Sequence, residues 1–314
     1  MDHKELKIRI ARLYYHNHMA KTEIGKKFRI SRFKVAQYLE EAQDEGIIEI
    51  IINEVSKTSR ELEILLEKKF DIGQARVAAT SVDYDKTKKN IGKIAALILE
   101  ELMHNGDIIG VAWGTTLYEM LNCLDGVKKF KNISVVQLTG GLHQIEMDYS
   151  PVELTRRMAR IFEAEVYQLY VPAIVDSHET LEVLTDDRNI KKTLEMFSRV
   201  NIALVGIGSV YPRPSTMLSR DGYIDKNDVE RIINSGAVGD INAYFYNLEG
   251  DECSTGLDGR TIGIGLSQLK KIRYAVGVAG GIEKAEAIYG ALKGGIINII
   301  ITDAATAEKV LSIG

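Results

Sequence analysis

The sequence predicts an α/β protein in which a small helical head precedes a large body built on a parallel sheet. Three short segments with apolar residues at helical spacing open the chain and carry a concentration of positive charge. Beyond residue 70, Val/Ile-rich runs alternate with helical stretches, which is typical of a parallel sheet covered on both faces. The 314-residue length accommodates both parts. We therefore predict a head at residues 1–55 and a body at 56–314, with a linker helix within 56–70.

The first two helices of the head are predicted from their apolar spacing. Leu6, Ile10 and Leu13 recur at helical intervals, and a second helix runs from Met19 to Phe28. Gly25 lies inside this second helix, where glycine costs about 1 kcal/mol relative to alanine. We expect a close helix crossing to require it.

A third helix is predicted to begin at Ser31, a favourable N-cap, and to end at Gly46. Its inward residues are Val35, Leu39 and Ala42, and its outward residues are Arg32, Lys34, Gln37 and Tyr38. The apolar run at 47–52 is a β segment of the kind that forms a wing. Two short helices, a tight turn, a capped helix and a wing together predict a winged helix-turn-helix.

A winged helix-turn-helix presents its third helix to the major groove of double-stranded DNA. Arginine and glutamine can make bidentate contacts with base edges, whereas lysine and serine mostly bind phosphates. The candidate DNA-binding residues are Lys21, Thr22, Ser31, Arg32, Lys34 and Gln37. The alternative is a three-helix core that does not bind DNA.

The charge distribution favours DNA binding by the head. Between Lys4 and Lys34 the chain carries ten Lys/Arg and two Glu, a net charge of +8. The whole chain has a net charge of −4, so the remainder carries −12. A basic head on an acidic body indicates a polyanionic partner for the head, although a solvated basic helix surface is the simpler alternative.

The amino-acid composition limits the classes of protein to which the chain can belong. Two cysteines, Cys123 and Cys253, are too few for a disulfide framework or a thiolate metal site. The chain opens without the apolar run of a signal peptide and has no stretch of about 18 apolar residues. We expect a cytoplasmic protein with no cofactor, no bound metal and no membrane association.

The body is predicted to be a doubly wound parallel sheet. The strand candidates are Ile108–Ala112, Ile133–Gln137, Ile202–Val205, Tyr274–Val278 and Ile296–Ile301. The helical stretches between them are Thr87–His104, Pro151–Ala164, Asp225–Ser235 and Lys284–Leu292. Ligands of such sheets bind where strand ends meet helix N-termini.

Several strand ends carry glycine beside hydroxyl or amide groups. They are Gly110–Thr116, Gln137–Gly141, Gly206–Gly208 and Gly277–Gly281, the last followed by Lys284. Backbone N–H groups and threonine hydroxyls at a helix start can cradle a phosphate, and a lysine one turn later can neutralise it. Turn sterics alone can also require each glycine. None of these segments matches the dinucleotide or Walker A pattern, and together they indicate a phosphorylated ligand.

The chain resembles the SorC family of sugar-binding transcriptional regulators, including its deoxyribonucleoside-regulator branch. The matching segments, in the family order, are ARLYY at 11–15, IIGVAWGTT at 108–116, VVQLTGG at 135–141, ALVGIGS at 203–209, GAVGDI at 236–241, RTIG at 260–263, VAGGIEK at 278–284 and IITDA at 300–304. The resemblance implies a winged helix-turn-helix joined to a sensor domain like sugar-phosphate isomerases and deaminases. It also implies a phosphorylated sugar as effector, a homodimer or homotetramer, and an inducible repressor.

The resemblance also implies roles for individual residues. Thr115 and Thr116 would cradle the phosphate, Lys284 would neutralise it, and Asp240 would accept hydrogen bonds from sugar hydroxyls. Gly140, Gly141, Gly206 and Gly208 would let the backbone approach the sugar. Arg260 stands in a segment that departs from the family pattern, and Arg220 lies on a loop expected to reach the site. Thr139 is grouped with this site, but threonine cannot form an imine with an open-chain sugar, so noncovalent binding is expected.

The two alternatives to a regulator are an enzyme and a purely structural oligomerisation domain. An isomerase or deaminase needs a carboxylate base with an acid or histidine near the sugar C1–C2 edge. Here Gly206–Gly208 leads into Ser-Val-Tyr-Pro-Arg, which contains no such pair. A purely structural oligomerisation domain would not need so many glycine-rich strand ends. We therefore expect a regulator rather than an enzyme, with a retained enzymatic activity as the alternative.

Overall fold

The computed structural model describes residues 3–16, 19–48, 58–124, 130–142, 147–210 and 224–314. The chain divides into two compact units, Met1–Ser56 and Lys57–Gly314. We keep the names head and body for these two units.

The head contains three α-helices in its described residues. Helix α1 (His3–Ala11) continues as a π-helical turn (Arg12–His16), followed by α2 (Lys21–Phe28) and α3 (Arg32–Asp44). Ile10, Ile24 and Val35 are fully buried between them. The Ser31 hydroxyl accepts a hydrogen bond from the Lys34 amide at 3.2 Å, and Gly46 adopts a φ of 68° just after α3. Both predicted ends of the third helix are therefore present.

The structure differs from three expectations about the head, or leaves them outside its described residues. A Cβ at Gly25 would lie 2.7 Å from the Ile30 carbonyl oxygen, so the glycine is needed where the turn passes α2, not at a helix crossing. Tyr38 is only 6% exposed and belongs to the head core, so its predicted outward orientation is wrong. Most of the predicted wing, at 49–52, lies outside the described residues, and Ile48 packs against the head core.

The body is built on a seven-stranded parallel sheet among the residues that the structure describes. The strands are β1 (Gln74–Ala78), β2 (Ile108–Val111), β3 (Ser134–Gln137), β4 (Glu165–Tyr167), β5 (Ile202–Val205), β9 (Tyr274–Val278) and β10 (Ile299–Asp303). Their order is β1-β10-β9-β5-β2-β3-β4. A small antiparallel sheet joins β6 (Gly208–Ser209), β7 (Gly239–Ile241) and β8 (Tyr244–Tyr246). The sequence did not predict β1, β4 or this small sheet.

Helices connect the strands. They are α4 (Ser59–Phe70), α5 (Tyr84–Leu102), α6 (Thr115–Asn122), α7 (Pro151–Ile161), α8 (His178–Asp186), α9 (Arg188–Met196), α10 (Lys226–Asn234), α11 (Leu266–Leu269), α12 (Ala285–Lys293) and α13 (Ala304–Ser312). Short 3₁₀ turns lie at Met147–Tyr149, Phe197–Arg199 and Ile282–Lys284.

The strand order makes the sheet doubly wound. From β1 to β4 the chain moves across the sheet in one direction, and from β4 to β10 it moves back. Because parallel crossovers are right-handed, the two sets of connecting helices lie on opposite faces. The direction changes between the neighbours β2 and β5, which makes their carboxyl ends the topological switch point where ligands bind in such sheets. The predicted α/β fold class is confirmed.

No helix in the described part of the chain combines the length and apolar character needed to cross a bilayer.

Candidate functional site

A cavity of about 240 Å³ opens at the switch point, at the carboxyl ends of β2, β5 and β9. Its lining residues are Tyr84, Lys88, Trp113, Gly114, Thr115, Thr116, Gly206, Ile207, Gly208, Asp240, Val278, Glu283 and Lys284. Fold topology and cavity position therefore agree on one site.

The β2 wall of the cavity is the start of α6. Gly114 is the N-cap residue, with a φ of 146°, and offers no side chain to cap the amides of Thr115 and Thr116. First-turn amides lack partners within a helix, and the helix dipole makes this end electropositive. A Cβ at Gly206 would lie 2.8 Å from the Trp113 carbonyl oxygen, so the β2 and β5 turns can approach each other only with glycine there. The result is an anion-binding geometry.

Asp240 lies in β7, at the register position opposite Gly208, and is 3% exposed. Its Oδ2 accepts a hydrogen bond from the Ala243 amide at 3.2 Å, whereas its Oδ1 has no partner among the described residues. Burial raises the pKa of Asp240 to about 6, against the opposing effects of the Ala243 amide and of Lys284. A buried acceptor without a donor is costly, which favours a ligand that supplies one.

Lys284 enters the cavity from the turn that follows β9. Desolvation lowers the pKa of Lys284, the carboxylates of Glu283 and Asp240 raise it, and the charge of Lys88 lowers it further. The turn is held in place because the Tyr84 hydroxyl donates to the Gly280 carbonyl at 2.8 Å. A partly buried cation beside the electropositive start of α6 is well placed for an anionic group.

Six of the nine predicted effector residues line this cavity, namely Thr115, Thr116, Gly206, Gly208, Asp240 and Lys284. Thr139, Gly140 and Gly141 do not. Thr139 is fully buried and pairs with Gly263 in a β-bridge, while a Cβ at Gly140 would lie 2.3 Å from the Pro172 carbonyl oxygen. Glycine at 140 is therefore explained by close backbone packing.

Of the two arginines expected near the site, the structure describes Arg260 but not Arg220. Arg260 donates to the Val175 carbonyl at 3.4 Å and pairs with Asp228 at 3.0 Å, so it ties loops of the body together. Arg220 lies outside the described residues.

Sequence reasoning missed Tyr84 and Lys88, which line the cavity from the first turns of α5. Because β1 was not identified, the start of α5 was not recognised as following a strand end. Trp113 and Glu283 were also missed, although each lies within a segment that carries the family resemblance. The alternation of β1, whose residues 75, 77 and 78 are buried, was the available signal.

On the head, the predicted DNA-binding residues lie at the starts of α2 and α3. Lys21, Thr22, Ser31, Arg32 and Gln37 are exposed, and Lys34 is partly exposed. Lys34 donates to the Gln37 side-chain oxygen at 3.0 Å, and Gln37 donates to Glu41 at 2.9 Å. These exposed contacts are weak enough to be exchanged for contacts with DNA.

Two other head residues were not anticipated. Phe33 is 72% exposed at the start of α3, with the Arg32 guanidinium 4.9 Å from its ring centre. Lys7 was counted in the basic window but is buried, and it pairs with Glu41 at 2.9 Å and Glu45 at 2.6 Å. Lys7 therefore stabilises the helix packing of the head and does not add to its free positive surface.

No grouping of metal-binding side chains occurs in the part of the chain that the structure describes.

Residues 55–312 match the family model described as "Putative sugar-binding domain". The chain is 31% identical over 312 residues to the deoxyribonucleoside regulator of Bacillus subtilis, covering 99% of this chain and 98% of that protein. The chain belongs to the SorC family of sugar-binding transcriptional regulators. It is 28% identical to the sorbitol operon regulator of Klebsiella pneumoniae, covering 99% of this chain and 98% of that protein.

Solved structures of family members share the fold of this chain. The full-length sorbitol operon regulator SorC from Klebsiella pneumoniae superposes with a TM-score of 0.77 at 28% identity, covering 99% of this chain and 100% of that one. A DeoR family transcriptional regulator from Listeria monocytogenes gives 0.74 at 28% identity, covering 81% of this chain and 100% of that one. The chain is a DNA-binding, sugar-responsive transcriptional regulator and not an enzyme, as predicted.

Proposed function

We propose that this regulator is a cytoplasmic repressor whose operator affinity is controlled by a phosphorylated sugar bound noncovalently in the body cavity. The observation that carries the proposal is the combination of three features around one cavity. They are the uncapped start of α6, the lysine at 284, and the buried Asp240 carboxylate with one unpartnered oxygen.

A phosphate fits the α6 side of the cavity. The first-turn amides, the helix dipole and the Thr115 and Thr116 hydroxyls all favour a group rich in negatively charged acceptors. Lys284 supplies a basic side chain from the neighbouring wall. A neutral sugar would offer no negative charge to the Lys284 side chain or to the electropositive start of α6.

A polyol fits the Asp240 side. Its Oδ1 is an acceptor that needs a donor, and a sugar hydroxyl is such a donor. The ordinary role of Asp240 as an ionised acceptor requires a pH above its pKa of about 6. Thr139, Gly140 and Gly141 remain proposed members of an extended effector site, although they lie outside the lining of the cavity.

Isothermal titration calorimetry against a fixed panel tests the effector. The panel contains ribose 5-phosphate, 2-deoxyribose 5-phosphate, fructose 6-phosphate, glucose 6-phosphate and sorbitol 6-phosphate, each beside its unphosphorylated sugar. We expect at least one phosphate to bind while its sugar does not. Lys271→Ala is the control for Lys284→Ala, because it removes an exposed lysine outside the cavity lining. It should bind the phosphate as the wild type does.

Borohydride reduction tests the noncovalent part of the proposal. An imine forms when a lysine amine attacks an open-chain carbonyl with loss of water, and hydride transfer then fixes the adduct as a secondary amine. We expect the protein mass to be unchanged after reduction in the presence of the bound aldose phosphate. An increase by the sugar phosphate less one oxygen would show covalent binding instead.

DNA binding by the head is proposed to use the exposed start of α3. Arg32 and Gln37 would read base edges, Lys21, Thr22, Ser31 and Lys34 would bind phosphates, and Phe33 offers an apolar contact for a thymine methyl. Two heads reading two half-sites require an oligomer, which we propose to be a homodimer or homotetramer. Sedimentation velocity of the full chain measures this, and a monomer at micromolar concentration would contradict it.

A further inference from the structure

Helix α13 begins in a buried hydrogen-bond network that includes the cavity wall. Asp303, its N-cap, accepts through Oδ2 from the Gly281 amide at 3.1 Å and from the Thr306 hydroxyl at 2.6 Å. The Thr306 hydroxyl also accepts from the Gly281 amide at 2.8 Å, and Asp303 Oδ1 accepts from the Thr80 hydroxyl at 2.8 Å. Asp303 is 1% exposed, so these are strong contacts in a water-poor environment.

This network fixes the turn that carries Lys284. Gly281 has a φ of 109°, and a Cβ at Gly280 would lie 2.6 Å from Asp303 Oδ2, so the turn lies directly against the carboxylate. Two residues later the same turn presents Glu283 and Lys284 to the cavity. A shift of the turn on ligand binding would therefore move the start of α13.

The other end of α13 is bound to α4. The Lys69 ammonium, in the last turn of α4, donates to the Leu311 carbonyl at 3.0 Å and to the Ile313 carbonyl. A cation at this position also interacts favourably with the carboxyl end of the α13 dipole. With nine residues, α13 spans about 13 Å between its two bound ends.

In the part of the chain that the structure describes, α4 is the first helix after the head. Its N-cap, Thr58, forms a capping box with Glu61 and lies one residue beyond the start of the second compact unit. Helix α4 also contacts β1, where Glu63 accepts from the Val77 amide and Glu67 from the Ala75 amide, and it contacts α12, where the Lys69 ammonium lies 5.3 Å from the centre of the Tyr289 ring. Those contacts involve neither the 280–284 turn nor any cavity-lining residue.

We propose that α13 transmits occupancy of the cavity to α4 and so to the DNA-binding head. In this relay Asp303 and Thr306 are positioning residues for the Lys284 turn, and Lys69 is the contact through which α13 moves α4. The relay rests on the proposed function, since it requires a ligand in the cavity. It assigns roles to residues that neither touch that ligand nor touch DNA.

Lys69→Met tests the distal contact. The readout is the fold-change in DNA affinity caused by saturating probe, measured by fluorescence anisotropy on a duplex selected from random DNA. The probe is the panel sugar phosphate that binds the wild type most tightly. We expect the fold-change, typically about 5–150 for coupled sites, to fall towards 1 in Lys69→Met while probe affinity and probe-free DNA affinity stay within twofold. Lys68→Met is the matched control, because among the described residues Lys68 makes no hydrogen bond or ion pair, and it should keep the wild-type fold-change.

Thr306→Val and Thr306→Ser test the proximal contact. Valine has the shape of threonine but removes the side-chain hydrogen bonds to the Gly281 amide and to Asp303 Oδ2, whereas serine keeps the hydroxyl. We expect Thr306→Val to reduce the fold-change and Thr306→Ser to restore most of it. A purely structural role would lower the melting temperature of both variants and leave the fold-change of each unaltered.

The outcomes separate this relay from the function on which it rests. If no panel compound binds the wild type or changes its DNA affinity, the proposed function fails and the relay fails with it. If the wild type responds and Lys69→Met responds equally, the relay alone is overturned. A response lost in Lys68→Met as well as in Lys69→Met would also overturn it, because surface charge on α4 would then be the cause.

Discussion

Replacing Asp240 with asparagine is expected to stabilise the body of the chain while weakening its cavity. The buried carboxylate has a pKa of about 6, raised from an ordinary value of 3.8 because burial disfavours its charge. Asparagine keeps the shape and can still accept from the Ala243 amide. It removes the charge and places an amide donor where the unpartnered oxygen lies.

The magnitude follows from linkage between protonation and folding. A group with a raised folded-state pKa contributes stability that is fully present below its unfolded pKa and is lost as pH rises through its folded pKa. For Asp240 the loss develops between pH 3.8 and about 6. Above that range it reaches about 3 kcal/mol, at about 1.4 kcal/mol for each pKa unit. The Asp240→Asn variant has no carboxyl group at this position to ionise, so its free energy of unfolding does not show this loss.

The fluorescence of Trp113 gives an unfolding assay that is specific for the body, because Trp113 is the chain's single tryptophan and lines the cavity. Urea unfolding followed by Trp113 fluorescence reports the body, at several pH values between 4 and 8. The difference in unfolding free energy between Asp240→Asn and wild type should grow from near zero at pH 4 to about 3 kcal/mol above pH 6.5. Comparing the two proteins at each pH cancels the titration of all other groups.

The same variant should bind the preferred sugar phosphate more weakly. Wild-type affinity should fall more steeply than that of Asp240→Asn as pH drops from 7.5 to 5.5, because only the wild type loses an ionised acceptor. The titration of the phosphate itself is common to both proteins. A stability difference that does not vary with pH, or a variant less stable than wild type at pH 7.5, would refute the assignment of a desolvated carboxylate at Asp240.

Further predictions concern one side chain each. Lys284→Ala should abolish the response of DNA affinity to sugar phosphate without changing DNA affinity in its absence; a normal response in anisotropy titrations would show that Lys284 does not bind the anion. Arg32→Ala should reduce discrimination between selected and random duplexes by about 1–3 kcal/mol, and equal losses on both duplexes would reassign it to the DNA backbone. Phe33→Ala should weaken binding to the selected duplex without changing the salt dependence, and a changed slope of log affinity against log salt would count against an apolar contact. Gly25→Ala should destabilise the head by about 1–3 kcal/mol, because its Cβ would lie 2.7 Å from the Ile30 oxygen; unchanged thermal melting by circular dichroism would contradict this.

The central strands of the body could be predicted because they are apolar on both faces. Ile202–Val205 and Tyr274–Val278 were predicted with the bounds that the structure gives. The edge strand β4 could not, since it has three residues, two of them exposed, and lacks a continuous apolar run. The small sheet β6–β8 was missed because its strands have two or three residues and depend on packing against the rest of the body.

The cavity was predictable where one turn contributes both a glycine and a functional side chain. Gly206, Asp240 and Lys284 came from such segments, and all three line the cavity. The same reasoning does not decide the role of Gly140, because glycine required by a backbone crossing and glycine required by a ligand look alike in sequence. In the folded chain the Pro172 carbonyl occupies the space that a side chain at position 140 would need.

We propose that a sugar phosphate in the body cavity controls DNA binding by the head. The most direct test is the DNA affinity of the full chain with and without each panel compound, measured on a duplex selected from random DNA. We predict that one phosphate lowers the affinity at least fivefold, that its unphosphorylated sugar does not, and that Lys284→Ala removes the effect. An affinity unchanged by every phosphate, or changed equally by phosphate and sugar, would contradict the claim.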